Sequence, residues 1–197
     1  MKRTKNFLLP LGGVMIVALV WYMTSALVSK DLPSPWKTWQ DSKLYVLQPF
    51  EKRGEMDQGI GLLAFYSLVR VAKGFLLGIA MATPLGFLLG VSPALRRMLD
   101  PVIQVLRLSP FKTFTRVLAP AALPHIFTGY RLSLGIAWLV IVASEMLTGT
   151  PGVGGFLWQE YNSLVYAHIL LCIVTIGIVG FVLDRLMGAV ESRLRSV

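Results

Sequence analysis

The 197-residue chain has one cysteine, two histidines and few charges, and each shortage excludes something. A single thiol, Cys172, lies inside an apolar run and cannot form an internal disulfide, so cysteine usage does not report a compartment. His125 and His168 stand alone, without the clustered cysteines, histidines or carboxylates of a metal site. No G-x-x-x-x-G-K-[ST] occurs, so the chain cannot itself be a P-loop ATPase. The glycine-rich stretch 148–166, TGTPGVGGFLWQEYNSLVY, has no lysine or arginine to reach a phosphate. Serine, histidine and aspartate cannot be placed as a triad, and no residue is assigned a catalytic role. Charged residues make up 15% of the chain, against about a quarter in an ordinary soluble domain. Hydrophobic residues make up 55% and the mean hydropathy is +0.66. This is the composition of an integral membrane protein; its long uncharged runs point to an all-α fold, and the lack of an active-site constellation speaks against an enzyme. The net charge of +9 superficially suits nucleic acid. In a membrane protein, lysine and arginine instead mark cytoplasmic flanks, and nucleic-acid binding is set aside.

Four apolar runs are long enough to span, at about 7–28, 74–92, 126–147 and 167–187. The first, FLLPLGGVMIVALVWYMTSALV, carries no charge and has Trp21 and Tyr22 near its outer end, as interfacial anchors. A cleaved signal peptide is the rival reading, since Thr24-Ser25-Ala26 offers small residues after the apolar stretch. In the second, Gly74, Gly78, Gly86 and Gly90 recur at multiples of four and suit close helix packing in lipid, or simply reflect the glycine enrichment of membrane helices. Pro84 is expected to bend this span. The third has Arg131 near its start and Glu145 near its end, where snorkelling or loop capping accommodates them. The fourth is followed by Asp184-Arg185 and a basic tail.

Basic flanks set the orientation. Lys2, Arg3 and Lys5 precede the first span; Arg96, Arg97, Arg107, Lys112 and Arg116 lie between the second and third; Arg185, Arg193 and Arg195 close the chain. The 148–166 loop has none, and the 29–58 loop balances five basic residues with five acidic ones. Both termini and the central segment are therefore expected in the cytoplasm of a multi-pass protein of the plasma (cell inner) membrane. The 29–58 loop is read as short amphipathic pieces carrying Trp36, Trp39 and Tyr45, able to rest on the bilayer surface. His125 and His168 fall on opposite sides of the membrane and cannot share a metal.

The central segment, 107–124, reads RLSPFKTFTRVLAPAALP. Ser109-Pro110 is a helix start, with a hydroxyl at the N-cap and proline at the first helical position. Phe111, Phe114, Val117 and Leu118 fall on one helical face, with Lys112 and Arg116 on others, and Pro120 and Pro124 end the run. Such a helix is too short and too charged to span, but it can dock in a groove by its apolar face. A solvated amphipathic linker is the alternative.

Residues 113–134, TFTRVLAPAALPHIFTGYRLSL, resemble the cytoplasmic "EAA" signature of permease subunits of bacterial ABC importers, in the branch for nitrate/nitrite, bicarbonate and sulfonate–taurine. Leu68-Val69-Arg70-Val71, Thr83-Pro84-Leu85-Gly86, Gly90-Val91-Ser92-Pro93, Asp100–Arg107 and Trp138–Leu147 add to the likeness, which covers nearly the whole chain and is nearest to the nitrate subgroup. The resemblance implies a MetI-like ABC permease fold and one transmembrane permease domain over 1–197, with a cytoplasmic coupling-helix segment at 101–124. It implies import of a small anion, first nitrate or nitrite, powered by partner ATPase subunits that hold the ATP–Mg, while this chain binds no cofactor. An extracytoplasmic substrate-binding protein or lipoprotein, a second permease copy and membrane lipids are the other implied partners. Ser109, Pro110, Phe111, Lys112, Phe114, Arg116, Val117 and Leu118 would dock the ATPase, and Pro120, Leu123 and Pro124 would close the motif.

The chain departs from the family pattern in two ways. Pro101, Val102 and Ile103 stand where the signature has Glu-Ala-Ala, and Arg107 where it has glycine. Four spans are seen where the family has about six, and Leu106–Pro110 looks like a seam. The resemblance thus implies a missing internal piece of two spans and a chain that transports poorly by itself. A non-transporting membrane anchor or regulatory subunit that holds an ATPase is the alternative function.

Overall fold

The computed structural model describes residues 2–27, 32–90 and 119–195. Among the described residues six helices run in order: α1 (Lys2–Leu27), α2 (Pro35–Leu47), α3 (Ile60–Gly90), α4 (Ala119–Thr148), α5 (Val153–Asn162) and α6 (Tyr166–Arg195). Among the described residues the only β pairing is an isolated bridge between Lys52 and Gln58. Three of the described helices are long and apolar enough to cross a membrane, over Ile60–Gly86, His125–Thr148 and Tyr166–Arg193; Met15–Leu27 is a shorter apolar helix. The all-α architecture follows from the composition. Apolar runs of this length can satisfy their backbone groups in lipid only as helices or closed barrels.

The helices outrun the apolar stretches that announce them. The second span begins at Ile60, not at 74, because α3 continues through Arg70 and Lys73. A helix is held by backbone bonds, so a charge inside it ends the apolar run without ending the helix. α4 begins at Ala119, so Pro120, Leu123 and Pro124 lie within its opening turns. A proline in the first turn costs nothing, since the first N–H groups of a helix have no intrahelical partner. The 148–166 stretch is not all loop: α5 occupies its middle.

The chain divides into two compact units. The first joins Met1–Ser67 to Val142–Ile178. Its core is Leu63, Val153, Phe156 and Cys172, all fully buried, with Tyr45, Ile60, Ala64, Leu157 and Ile176 packed around them. Ser34 caps α2 by accepting from the Lys37 N–H at 3.3 Å, and Pro35 follows at the first helical position. Ser42 Oγ donates to the Ala167 carbonyl at 3.3 Å, fastening α2 to α6. The segment between α2 and α3 folds back tightly: the Gly59 N–H donates to the Glu51 carbonyl at 2.8 Å, and a Cβ at Gly59 would collide with the Gln48 carbonyl and with Pro49.

The second unit joins Leu68–Ile141 to Val179–Val197. Only Val71 and Trp138 are buried among its described hydrophobic side chains. Leu76, Leu77, Met81, Leu132, Ile136, Leu139, Phe181 and Leu186 all face outward, which suits a lipid environment. A Cβ at Gly74, Gly78 or Gly86 would meet nothing within 4 Å, so these glycines bring no other helix close within the described residues. Gly90 is the last residue of α3.

Candidate functional site

The docking residues expected from the sequence, Ser109, Pro110, Phe111, Lys112, Phe114, Arg116, Val117 and Leu118, lie outside the described residues. The second unit describes the helices on either side of them: α3 ends at Gly90 and α4 starts at Ala119. A hydroxyl pair, Thr83 Oγ1 and Tyr130 Oη at 2.8 Å, joins these two helices near that end. Tyr130 also meets Phe75 and Phe127 edge-on, with ring centroids 6.4 and 6.0 Å away. The next residue, Arg131, reaches α6. Its Nε and Nη2 donate to the two carboxylate oxygens of Asp184 at 2.6 and 2.7 Å. Two parallel charge-assisted bonds hold both groups in one plane and are the strongest geometry such a pair has. The pair lines an open depression of about 450 Å³ with Thr128, Leu132, Gly135, Ile136 and Leu139. An isolated charge in an apolar span is costly, and an opposite charge from a neighbouring helix is the usual solution.

The first unit carries two polar clusters. Glu145, near the end of α4, is 1% exposed. Its Oε2 accepts from Ser67 Oγ at 2.8 Å and from the Gly154 N–H at 3.1 Å, while Ser67 Oγ accepts from the Val153 N–H at 3.0 Å. Gly152, the residue before α5, makes no side-chain cap of its own. The carboxylate and the serine therefore do for α5 what an N-cap residue does, satisfying its first N–H groups from outside the helix. The negative charge also faces the positive end of the helix dipole. Glycine is required here by space: a Cβ at Gly152 would collide with the Glu145 carboxylate, and one at Gly154 with the Val142 carbonyl. The glycine-rich stretch is thus a close-approach device.

The second cluster surrounds His168. Its Nδ1 is 2.7 Å from Glu160 Oε2 and its Nε2 is 3.4 Å from the Asp41 carbonyl. The ring stacks on Phe156 at 5.9 Å and meets Tyr45 edge-on at 4.7 Å. The Arg53 guanidinium lies 4.8 Å above the Tyr45 ring. Burial, with a hydrogen bond to Asp57 and the Asp57 charge behind it, pushes the Tyr45 phenol up to about 12. Among the described residues no group of three histidine, cysteine or acidic side chains is placed to hold a metal. Both clusters join helices of the first unit.

Sequence reading found Glu145 and Arg131 as charges near span ends, and loop capping is what Glu145 does. It missed both partners and the whole His168 cluster. Arg131 and Asp184 were findable, as opposite charges on two apolar helices. Glu160 and His168 carried no signal, because nothing local says that the chain turns back between them.

Residues 7–196 match the protein family described as "Binding-protein-dependent transport system inner membrane component". The chain belongs to that family. It is 31% identical to the nitrate import permease protein NrtB of Synechocystis sp., over 93% of this chain and 87% of the relative. It is 30% identical to the bicarbonate transport system permease protein CmpB of the same organism, over 93% of this chain and 87% of the relative. The nitrate import permease protein NrtB of Leptolyngbya laminosa is 32% identical, over 79% of this chain and 76% of its own length. This is the nitrate and bicarbonate branch of the ABC permeases, inner-membrane subunits that are not themselves enzymes and that work with a separate ATPase and a substrate-binding partner. The alignment with the Synechocystis nitrate permease is 240 residues long, although this chain has only 197 residues in all. That relative therefore has residues inside the aligned region with no counterpart here.

Proposed function

We propose that this chain is the membrane subunit of an ABC importer for a small anion, nitrate or nitrite first, and that it receives the work of ATP hydrolysis through residues 109–118. The observation that carries the reading is the family match across residues 7–196, with kinship to nitrate and bicarbonate permeases over most of the chain. Phe111, Phe114, Val117 and Leu118 form the apolar face that enters a groove of the ATPase; Lys112 and Arg116 meet its rim. Pro120, Leu123 and Pro124 carry the motif into α4. ATP and Mg²⁺ belong to the ATPase, and an extracytoplasmic binding protein or lipoprotein delivers the anion. Both termini face the cytoplasm, as the basic flanks require. A second copy completes the pathway, and the open glycine face of Gly74, Gly78 and Gly86, continued by Gly90, is where its helices pack.

The excess length of the aligned relative favours a second statement: an internal segment of two spans is missing near Leu106–Pro110, and the chain docks the ATPase but transports poorly alone. A non-transporting anchor for the ATPase is the form that reading takes at its limit. The test is reconstitution of the chain with its ATPase and binding protein. ATP hydrolysis that rises with nitrate-loaded binding protein supports the permease reading, and hydrolysis that ignores it supports the anchor. Full nitrate uptake on expression in a permease-null strain would sink the claim of impaired transport.

A further inference from the structure

The outward face of α2 carries large apolar side chains among polar ones. Thr38 and Ser42 are buried and Tyr45 is half-buried, at i, i+4 and i+7, so the inward stripe is polar or amphipathic. Trp36, Trp39 and Leu47, at i, i+3 and i+11, lie on the other side and are exposed by 68, 46 and 68%. A helix on a water-facing surface keeps apolar side chains of this size on its inner face. Lys37, Gln40, Asp41, Lys43 and Leu44 are exposed as well, and Phe50, just past the helix, is 72% exposed.

The fastenings of α2 place it at the ends of two apolar helices. Before it, Trp21 Nε1 and Ser25 Oγ, in the last turns of α1, donate to the carbonyls of Pro33 and Leu32 at 3.2 and 2.7 Å. In its middle, Ser42 Oγ donates to the carbonyl of Ala167, the second residue of α6. At 13 residues α2 is far too short to span. A short helix held where one apolar helix stops and another starts lies at the boundary between hydrocarbon and water. Tryptophan with its indole N–H, and lysine with a long apolar stem, are the residue types which that boundary selects.

We propose that α2 is an interfacial helix, lying in the headgroup layer of the leaflet where α1 ends and α6 begins. Trp36, Trp39 and Leu47 enter the acyl-chain boundary, and Lys37 and Lys43 reach lipid phosphates. The helix thereby holds the His168–Glu160 cluster, through Tyr45 and Ser42, at a fixed depth. Thr38 and Ser42 face the protein, and the exposed tryptophans and Leu47 serve the bilayer.

The test compares the full chain with its Trp36→Phe/Trp39→Phe double variant in phosphatidylcholine–phosphatidylglycerol vesicles. The difference between their emission spectra is the signal of these two tryptophans, and phenylalanine preserves the apolar face. That signal is expected to be quenched by phospholipid brominated on its acyl chain near the headgroup, and shielded from aqueous iodide. Quenching by iodide and not by bromolipid would overturn the proposal. So would shielding from both, which would place protein, such as a second copy, over the face. Iodide quenching that vanishes on adding the binding protein would assign the face to that protein instead.

Discussion

Glu145 is a buried carboxylate whose removal would be felt at two places. It holds the Gly154 N–H and the Ser67 hydroxyl at once, and Ser67 in turn holds the Val153 N–H. Glu145→Ala leaves the buried Gly154 N–H without its acceptor, at a cost of about 1–3 kcal/mol, while the Ser67 hydroxyl keeps the Leu63 carbonyl. The expected result is a lower unfolding midpoint in detergent, with Glu145→Gln intermediate because its carbonyl oxygen still accepts; an alanine variant as stable as the parent would remove the capping role. Arg131 and Asp184 make the converse case. Either Arg131→Ala or Asp184→Asn alone is expected to lower the yield of folded protein, and Arg131→Asp with Asp184→Arg together to recover much of it. Recovery is the decisive measurement, because mere volume changes would not compensate each other. These residues also show what a sequence conceals. Charges near span ends are visible in the sequence, but Ser67 lies 78 positions from Glu145, and Asp184 lies 53 from Arg131. Their pairing is fixed by how helices pack, and no local periodicity encodes it.

At the scale of elements, apolar length announced the four long helices, and charge misplaced their ends. Arg70 and Lys73 interrupt the hydropathy of α3 without interrupting its backbone bonds. α5 was illegible for a different reason. Its opening glycines have poor helix propensity, and its cap arrives from Glu145 and Ser67, remote in sequence. α2 was half legible: Ser34-Pro35 is a helix start by the rule applied to Ser109-Pro110, and its aromatics suggested a bilayer surface, but its polar inner face follows only from packing. Tyr45 reports whether that packing is intact. Its phenol ionises near pH 12 instead of the ordinary 10, mainly because it is buried. The folded pKa is the raised one, so the neutral phenol favours folding at every pH below 10, and this contribution is lost as pH rises through 12. A tyrosinate absorbance titration of the parent minus Tyr45→Phe is expected to show one group titrating near 12; a group titrating at 10 would mean that α2 does not lie against Phe156 and His168.

At the scale of the whole molecule, apolar helices precede and follow a basic stretch of sequence between Gly90 and Ala119. Family membership, inner-membrane character and the all-helical fold were legible because they rest on composition and on a long chain of motif words. The substrate is less so, since nitrate and bicarbonate permeases are matched nearly equally well. The central claim is that residues 109–118 dock an ATPase even though Pro101, Val102 and Ile103 replace the Glu-Ala-Ala half of the signature. Co-purification of the tagged chain with its ATPase, parent against Phe114→Asp, tests it most directly. An unpaired carboxylate at an apolar anchor is expected to cost about 2 kcal/mol or more, enough to lose the complex in a wash. The account predicts that the parent retains the ATPase and the variant does not, with equal amounts of each chain in the membrane. Retention by both, or by neither, would contradict it.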